Sequence, residues 1–160
     1  MSQRAAHTAV PEHCASELLQ RVGVAETDMM GVVHHGSYIA YFERGRLEYM
    51  RRRALPYKAL VERGFHLPVV ELNVRYKKPA CFDDLLCVET RVAALTRVTV
   101  RFDYRVRRPR TEPGAEPAQD LLLEAHVVLA CIDARGKPRP LPADAVRALL
   151  SPEGPPEAHS

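Results

Sequence analysis

The sequence predicts an α+β domain in which one antiparallel sheet, of about five to six strands, wraps around a single long central helix. Three observations predict it. Residues 37–53 carry the one long helical pattern of the chain. Residues 98–106 alternate cleanly, with Val98, Val100, Phe102, Tyr104 and Val106 on one face and Thr99, Arg101, Asp103 and Arg105 on the other. The strand-like runs after residue 67 follow one another through turns, a pattern that predicts antiparallel neighbours.

The chain has 160 residues, enough for one core and hardly enough for two. The expected organisation is a flexible N-terminal arm over 1–16, a single domain over 17–150 and a disordered Pro- and Gly-rich tail over 151–160. A net charge of +3 is mild and does not call for nucleic acid as a partner. No apolar run approaches the roughly 18 residues of a membrane span, and residues 1–16 lack the apolar core of a signal peptide. The expectation is a cytoplasmic protein. Cys14, Cys81, Cys87 and Cys131 form no Cys-x-x-Cys pair and read as small hydrophobes and stray thiols, so neither a zinc site nor a disulfide framework is expected.

Residues 17–25 read as a first strand. In the helix, Tyr38, Ile39, Phe42, Tyr49 and Met50 recur at three-, four- and seven-residue spacings and predict one broad buried face. Ser37 is the expected N-cap. Gly45, mid-helix, costs about 1 kcal/mol against Ala and predicts close approach of a neighbouring backbone. Arg51, Arg52 and Arg53 suit the negative end of the helix dipole. Pro56 opens a short helix over 56–63 that Gly64 stops. From Leu67 the period changes to two: Val70, Leu72, Val74 and Tyr76 face one way, Glu71, Asn73, Arg75 and Lys77 the other. Strands follow over 85–95, 98–106 and 120–132, the last two separated by a long loop over 107–119 that holds Pro109, Pro113, Gly114 and Pro117. Pro142 opens a last short helix through Leu150. One long amphipathic helix covering one face of such a sheet is the description of a hot-dog fold.

Chemistry concentrates in one stretch. Asp28 sits in a non-periodic segment punctuated by Gly31 and Gly36, His34 and His35 follow, and the helix then begins. A helix start carries unpaired N–H groups and partial positive charge. A carboxylate beside it suits reactions in which a carbonyl oxygen gains negative charge.

The run Glu26-Thr-Asp-Met-Met-Gly-Val-Val-His-His-Gly-Ser-Tyr38, followed by Tyr41-Phe-Glu-Arg-Gly-Arg46, resembles the signature of the 4-hydroxybenzoyl-CoA thioesterase superfamily. Within it the resemblance is to the bacterial acyl-CoA thioesterases associated with the Tol–Pal envelope system. Val74-Arg-Tyr-Lys-Lys-Pro-Ala-Cys-Phe-Asp-Asp-Leu85, Leu129-Ala-Cys-Ile-Asp133 and Lys137-Pro-Arg-Pro-Leu-Pro142 are similar to later family segments, so the match spans about 18–150. The resemblance implies a hot-dog fold, a homodimer or homotetramer, and hydrolysis of acyl-CoA with no cofactor or metal beyond the coenzyme A of the substrate itself. It places the key carboxylate at Asp28 and the associated histidine at His35. Two positions depart from the family pattern: Glu26 stands where the motif has Asp, and Val24 where a tyrosine is often found.

Asp28 is therefore the candidate general base or nucleophile, and His35 the candidate for orienting water or the carbonyl. Backbone N–H groups of Gly36, Ser37 and Tyr38 are candidate oxyanion donors, and Glu43 is the runner-up carboxylate. For the phosphates of coenzyme A the candidates are Arg75, Lys77, Lys78, Arg105 and Arg107, with Arg108 and Arg51–Arg53 as further basic positions. An acyl carrier protein is a possible alternative partner. Two other readings compete: a hot-dog dehydratase acting on a 3-hydroxyacyl thioester, and a non-enzymatic acyl-thioester-binding module.

Overall fold

A computed structural model describes residues 8–110 and 118–155. The sheet has five strands, β1 (Ala15–Arg21), β2 (Val69–Tyr76), β3 (Leu85–Leu95), β4 (Thr99–Arg110) and β5 (Ala118–Ala130), in the order β1-β3-β4-β5-β2 with every pair antiparallel. The helices are α1 (Ser37–Arg51), α2 (Tyr57–Glu62) and α3 (Ala143–Leu149). No helix among the described residues is long and apolar enough to cross a membrane.

Helix α1 lies against β1 and β3. It buries Tyr38, Tyr41, Phe42, Gly45, Tyr49 and Met50, and sets Phe42 against Tyr104 in a tilted contact and Tyr49 edge-to-face against Phe102, at ring separations of 4.7 and 5.7 Å. Phe102 and Tyr104 therefore mark the inner face of β4, and Arg101, Asp103 and Arg105 point to the outer face.

Four details differ from the sequence-based expectation. First, consecutive β2 and β3 do not pair: β2 crosses to the far edge and pairs with β5, leaving β1 beside β3. Second, β2 is not covered by the helix, and Val70, Leu72 and Tyr76 are 60, 40 and 52% exposed. Ile39, expected in the buried face of α1, is also exposed, one position off the packed stripe. Third, much of the expected 107–119 loop is strand: Arg107, Arg108, Pro109 and Arg110 pair with Leu121, Asp120, Gln119 and Ala118. Lys78, Arg108 and Arg110 all reach the Asp120 carboxylate, at 2.8, 3.5 and 3.2 Å, which ties this end of the ladder. Residues 111–117 lie outside the described residues.

Fourth, Arg53 is not a surface cation. It is 5% exposed, stacks on the Tyr49 ring at 3.5 Å and donates to Ser16 Oγ and to the carbonyls of Ser151, Tyr49, Ala15 and His13. It joins the end of α1 to both ends of the domain. Of the expected arm, residues from 8 on are held as well, through Thr8 N–H to Leu95 O and Arg91 to Glu12 O. Of the expected tail, Gly154 N–H donates to Arg52 O, and 156–160 lie outside the described residues.

At Gly45 α1 lies close against the sheet. A Cβ there would stand 2.5 Å from Thr90 Oγ1 and 3.3 Å from Val88 Cγ1, both on β3. The close approach is by side chains rather than by the expected backbone. Gly45→Ala gains about 1 kcal/mol of helix propensity, but overpacking costs about 1–3 kcal/mol. The expected result in urea denaturation is a net loss of stability, largely recovered in Gly45→Ala/Thr90→Ala.

Candidate active site

The segment between β1 and α1 is a small hairpin strapped to the helix start. A single 3-10 turn, Val24–Glu26, leads into it. Asp28 N–H donates to Val32 O at 2.9 Å, Thr27 bridges to Val33, and Gly31 closes the tip at φ +78°, a conformation that favours glycine. The far arm is tied to the 79–84 turn by Val33 N–H to Ala80 O and a Val32–Cys81 bridge. Asp28 is half-buried at the base of the tip, and its Oδ1 accepts the Met30 N–H at 2.8 Å. Met29 and Met30 beside it are fully exposed.

His34 and His35 are exposed, with ring centroids 4.0 Å apart. His34 turns back on the chain: its Nδ1 accepts the Gly36 N–H at 3.1 Å and its carbonyl accepts the Ser37 N–H at 2.9 Å. Two of the three expected oxyanion donors are thus engaged. The Tyr38 N–H has no acceptor among the described residues. Tyr76 on β2 donates its hydroxyl to His35 O at 2.8 Å and packs its ring 5.8 Å from Tyr38, so β2 borders the helix start. The expected Ser37 cap does not form. Gly36 is the N-cap, and the Ser37 hydroxyl donates to Glu26 O at 3.1 Å.

Glu26 gathers the segment. Its Oε2 accepts the Gly23 N–H at 2.8 Å and the Tyr41 hydroxyl at 2.6 Å, and Arg44 Nη1 lies 3.6 Å from Oε1. Its main-chain oxygen accepts the His34 N–H at 2.8 Å in addition to the Ser37 hydroxyl.

The runner-up, Glu43, stands six residues along α1 from Ser37, about 9 Å up the axis. It lines a separate crevice of about 70 Å³ with Arg46, Leu47, Met50, Tyr57, Leu67 and Leu129. The basic candidates are dispersed. Lys77 and Arg105 flank Glu124 at 3.2 and 3.5 Å, Arg107 pairs with Glu89 at 3.1 Å, and Lys78 is taken up by Asp120. Arg75 has no ion-pair partner among the described residues, and with Arg105 it lines a charged concavity of about 490 Å³ on the outer face of the sheet. No group of three or more His, Cys, Asp or Glu placed to hold a metal occurs among the described residues.

A family model described as the thioesterase superfamily matches residues 30–115, more than half of the chain. An acyl-CoA thioester hydrolase, YbgC, of Escherichia coli is 33% identical over 79% of this chain and 89% of its own. The chain belongs to the thioesterase superfamily. As a member of that superfamily it is a thioester hydrolase, and the resemblance carried by the Glu26–Arg46 motifs is borne out. The solved DHNA-CoA thioesterase of Staphylococcus aureus is 31% identical over 79% of this chain and 80% of its own, with a TM-score of 0.71. A 4-hydroxybenzoyl-CoA thioesterase structure covers 86% of this chain and 99% of its own at a TM-score of 0.75; at 24% identity it shows the shared hot-dog fold. Superfamily membership sets aside the dehydratase reading. The family match opens two residues after Asp28, so the role of that residue stands on geometry and motif.

The electrostatics of the strap are one-sided. Burial pushes the Glu26 carboxyl up, but the Tyr41 hydroxyl, the Gly23 N–H and Arg44 outweigh it and hold Glu26 below its ordinary 4.5. Burial, reinforced by the Glu26 carboxylate, raises the Tyr41 hydroxyl above its ordinary range. Glu26 therefore stays an acceptor and Tyr41 a donor across neutral pH. A carboxyl depressed by folding contributes stability above its unfolded value, and that contribution is lost as pH falls through the folded value. Tyr41→Phe removes the strongest of the lowering contacts. In carbon-detected NMR titration Glu26 should then titrate at higher pH than in the parent protein, and acid unfolding should begin at higher pH.

Proposed function

We propose that the protein is an acyl-CoA thioesterase that converts an acyl-CoA and water into a free carboxylic acid and coenzyme A, with Asp28 acting on the thioester carbonyl. The observation that carries the reading is that the hairpin bearing Asp28 is bonded, through the Glu26 main-chain oxygen, to a helix start whose Tyr38 N–H has no acceptor among the described residues. In the general-base form Asp28 takes a proton from water as the water oxygen bonds to the carbonyl carbon. The carbonyl oxygen becomes an oxyanion held by the Tyr38 N–H. The C–S bond then breaks, and the departing thiolate takes up the proton. In the nucleophilic form an Asp28 oxygen bonds to the carbonyl carbon first, the thiolate leaves, and water hydrolyses the mixed anhydride. Both forms use the same carboxylate and the same N–H. His35, exposed at the helix start, would orient water or the substrate carbonyl.

The exposed apolar edge of β2 supports a further element of the reading. Unpaired strand edges with exposed apolar side chains invite pairing with another strand. A second copy docked along β2 would cover Val70, Leu72 and Tyr76 and bring the helix-start site to the interface of a homodimer, or of a homotetramer built as a dimer of dimers. Coenzyme A phosphates would be met by surface cations, of which Arg75 is the least neutralised of the five candidates. An acyl carrier protein in place of coenzyme A remains within the same chemistry.

The test is thiol release from short, long, branched and aromatic acyl-CoAs. The parent protein should turn over at least one class, and Asp28→Asn should lower kcat by about 100- to 10,000-fold, the usual range for a positioned acid–base group. Glu43→Gln should leave kcat close to the parent value. Equal turnover by Asp28→Asn with loss in Glu43→Gln would move the chemistry to Glu43. Binding of acyl-CoA without turnover would favour the binding-module reading.

A further inference from the structure

Glu26 is the residue whose length departs from the family motif, and its contacts are unlike those of a solvated loop carboxylate. One oxygen serves two donors from different places in the chain. Gly23 N–H comes from the turn before the hairpin, and Tyr41 OH from the second turn of α1. The other oxygen faces Arg44, which is itself held by Gln20 Oε1 on β1 at 2.9 Å. The main-chain oxygen accepts from His34 and Ser37, the two residues that bring the chain into the helix. Tyr41 has no exposed surface, so its hydroxyl is a fixed point. A short charge-assisted bond to such a point is stronger and more directional than a neutral one.

These contacts span the gap that matters chemically. Asp28 is two residues after Glu26, and the free N–H of Tyr38 is one residue after Ser37. The carboxylate and the oxyanion donor lie on separate pieces of chain, the hairpin and the helix, and Glu26 is bonded to both pieces. We propose that Glu26 is a positioning residue for thioester hydrolysis: it fixes the Asp28 hairpin against the start of α1 without touching substrate. The proposal rests on the reading of Asp28 as the reacting carboxylate. The side-chain length follows from the geometry. An aspartate carboxylate would sit about 1.5 Å nearer the main chain and would reach both Gly23 and Tyr41 only by moving the hairpin.

The test compares kcat, KM and amide hydrogen exchange in the parent protein, Glu26→Ala, Glu26→Gln, Glu26→Asp and Asp28→Asn. Misplacing a catalytic group by about 1 Å costs on the order of 100-fold in rate. Glu26→Ala should therefore lose about 100-fold in kcat with KM little changed, and exchange should accelerate at His34 and Ser37 but not in β3 or β4. Glu26→Gln, which keeps an acceptor oxygen for Gly23 and Tyr41, should recover most of the rate. Should Glu26→Ala fail to fold, Glu26→Asp carries the test, with a smaller loss in the same direction. Parent-like kcat in folded Glu26→Ala or Glu26→Asp, or rate loss without accelerated exchange at His34 and Ser37, overturns the proposal. Asp28→Asn separates the two claims. If it turns over like the parent protein, the reading of Asp28 falls and the proposal with it. If it is inactive while Glu26→Ala is unaffected, only the role of Glu26 falls.

Discussion

The short bond between the Tyr41 hydroxyl and the Glu26 carboxylate, 2.6 Å long, ties the hairpin that carries Asp28 to the core. Tyr41 belongs to the buried stripe of α1, so its position is set by the packing of the helix on β1 and β3. Glu26 belongs to the exposed segment that carries Asp28. The bond transmits the rigidity of the core to a stretch with few apolar contacts of its own. Without it the hairpin would be held through the Val33 N–H bond to Ala80 O and through the bonds of the His34 N–H and the Ser37 hydroxyl to the Glu26 main-chain oxygen.

The same economy shapes the whole domain. Five strands and one long helix leave one inner face to fill, and α1 packs onto it with Gly45 close against Val88 and Thr90. The Thr90 hydroxyl is buried there without a hydrogen-bond partner among the described residues, a sign that closeness of packing prevails over polar satisfaction at this contact. The helix reaches its limit at β2. That strand joins the sheet through β5 and leaves apolar side chains in the open, beside the helix start and its proposed chemistry.

Much of the fold was legible in the sequence because its signals are periodic. The strict alternation of 98–106 marked β4 correctly, and the three-, four- and seven-residue spacings marked α1. What periodicity could not give was partnership. Val70, Leu72, Val74 and Tyr76 alternate equally well beside β3 or beside β5, and the register of β2 with β5 is visible only in the folded chain. Ile39 and Tyr41 are both large residues near the margin of the helical stripe, and a small rotation decides which is buried. Arg53 carried the ordinary signature of a solvated helix end, and only the convergence of five oxygen acceptors explains its burial. In the site, Asp28 and His35 came from the motif. The clamp did not, because its partners, Gly23 and Tyr41, lie three and fifteen residues from Glu26 and meet it only in the folded chain. The engagement of the Gly36 and Ser37 N–H groups by His34 was likewise invisible, since it depends on the His34 side chain folding back along the chain.

Hydrolysis by Asp28 depends on where the thioester carbonyl sits. The most direct measurement is a crystal structure of the protein with a non-hydrolysable acyl-CoA analogue in which a methylene replaces the sulfur. The expected structure has the carbonyl oxygen within hydrogen-bonding distance of the Tyr38 N–H, the carbonyl carbon facing Asp28, and the Glu26–Tyr41 bond intact. An analogue whose carbonyl lies in the Glu43 crevice, with nothing of the ligand near Tyr38 or Asp28, would contradict it.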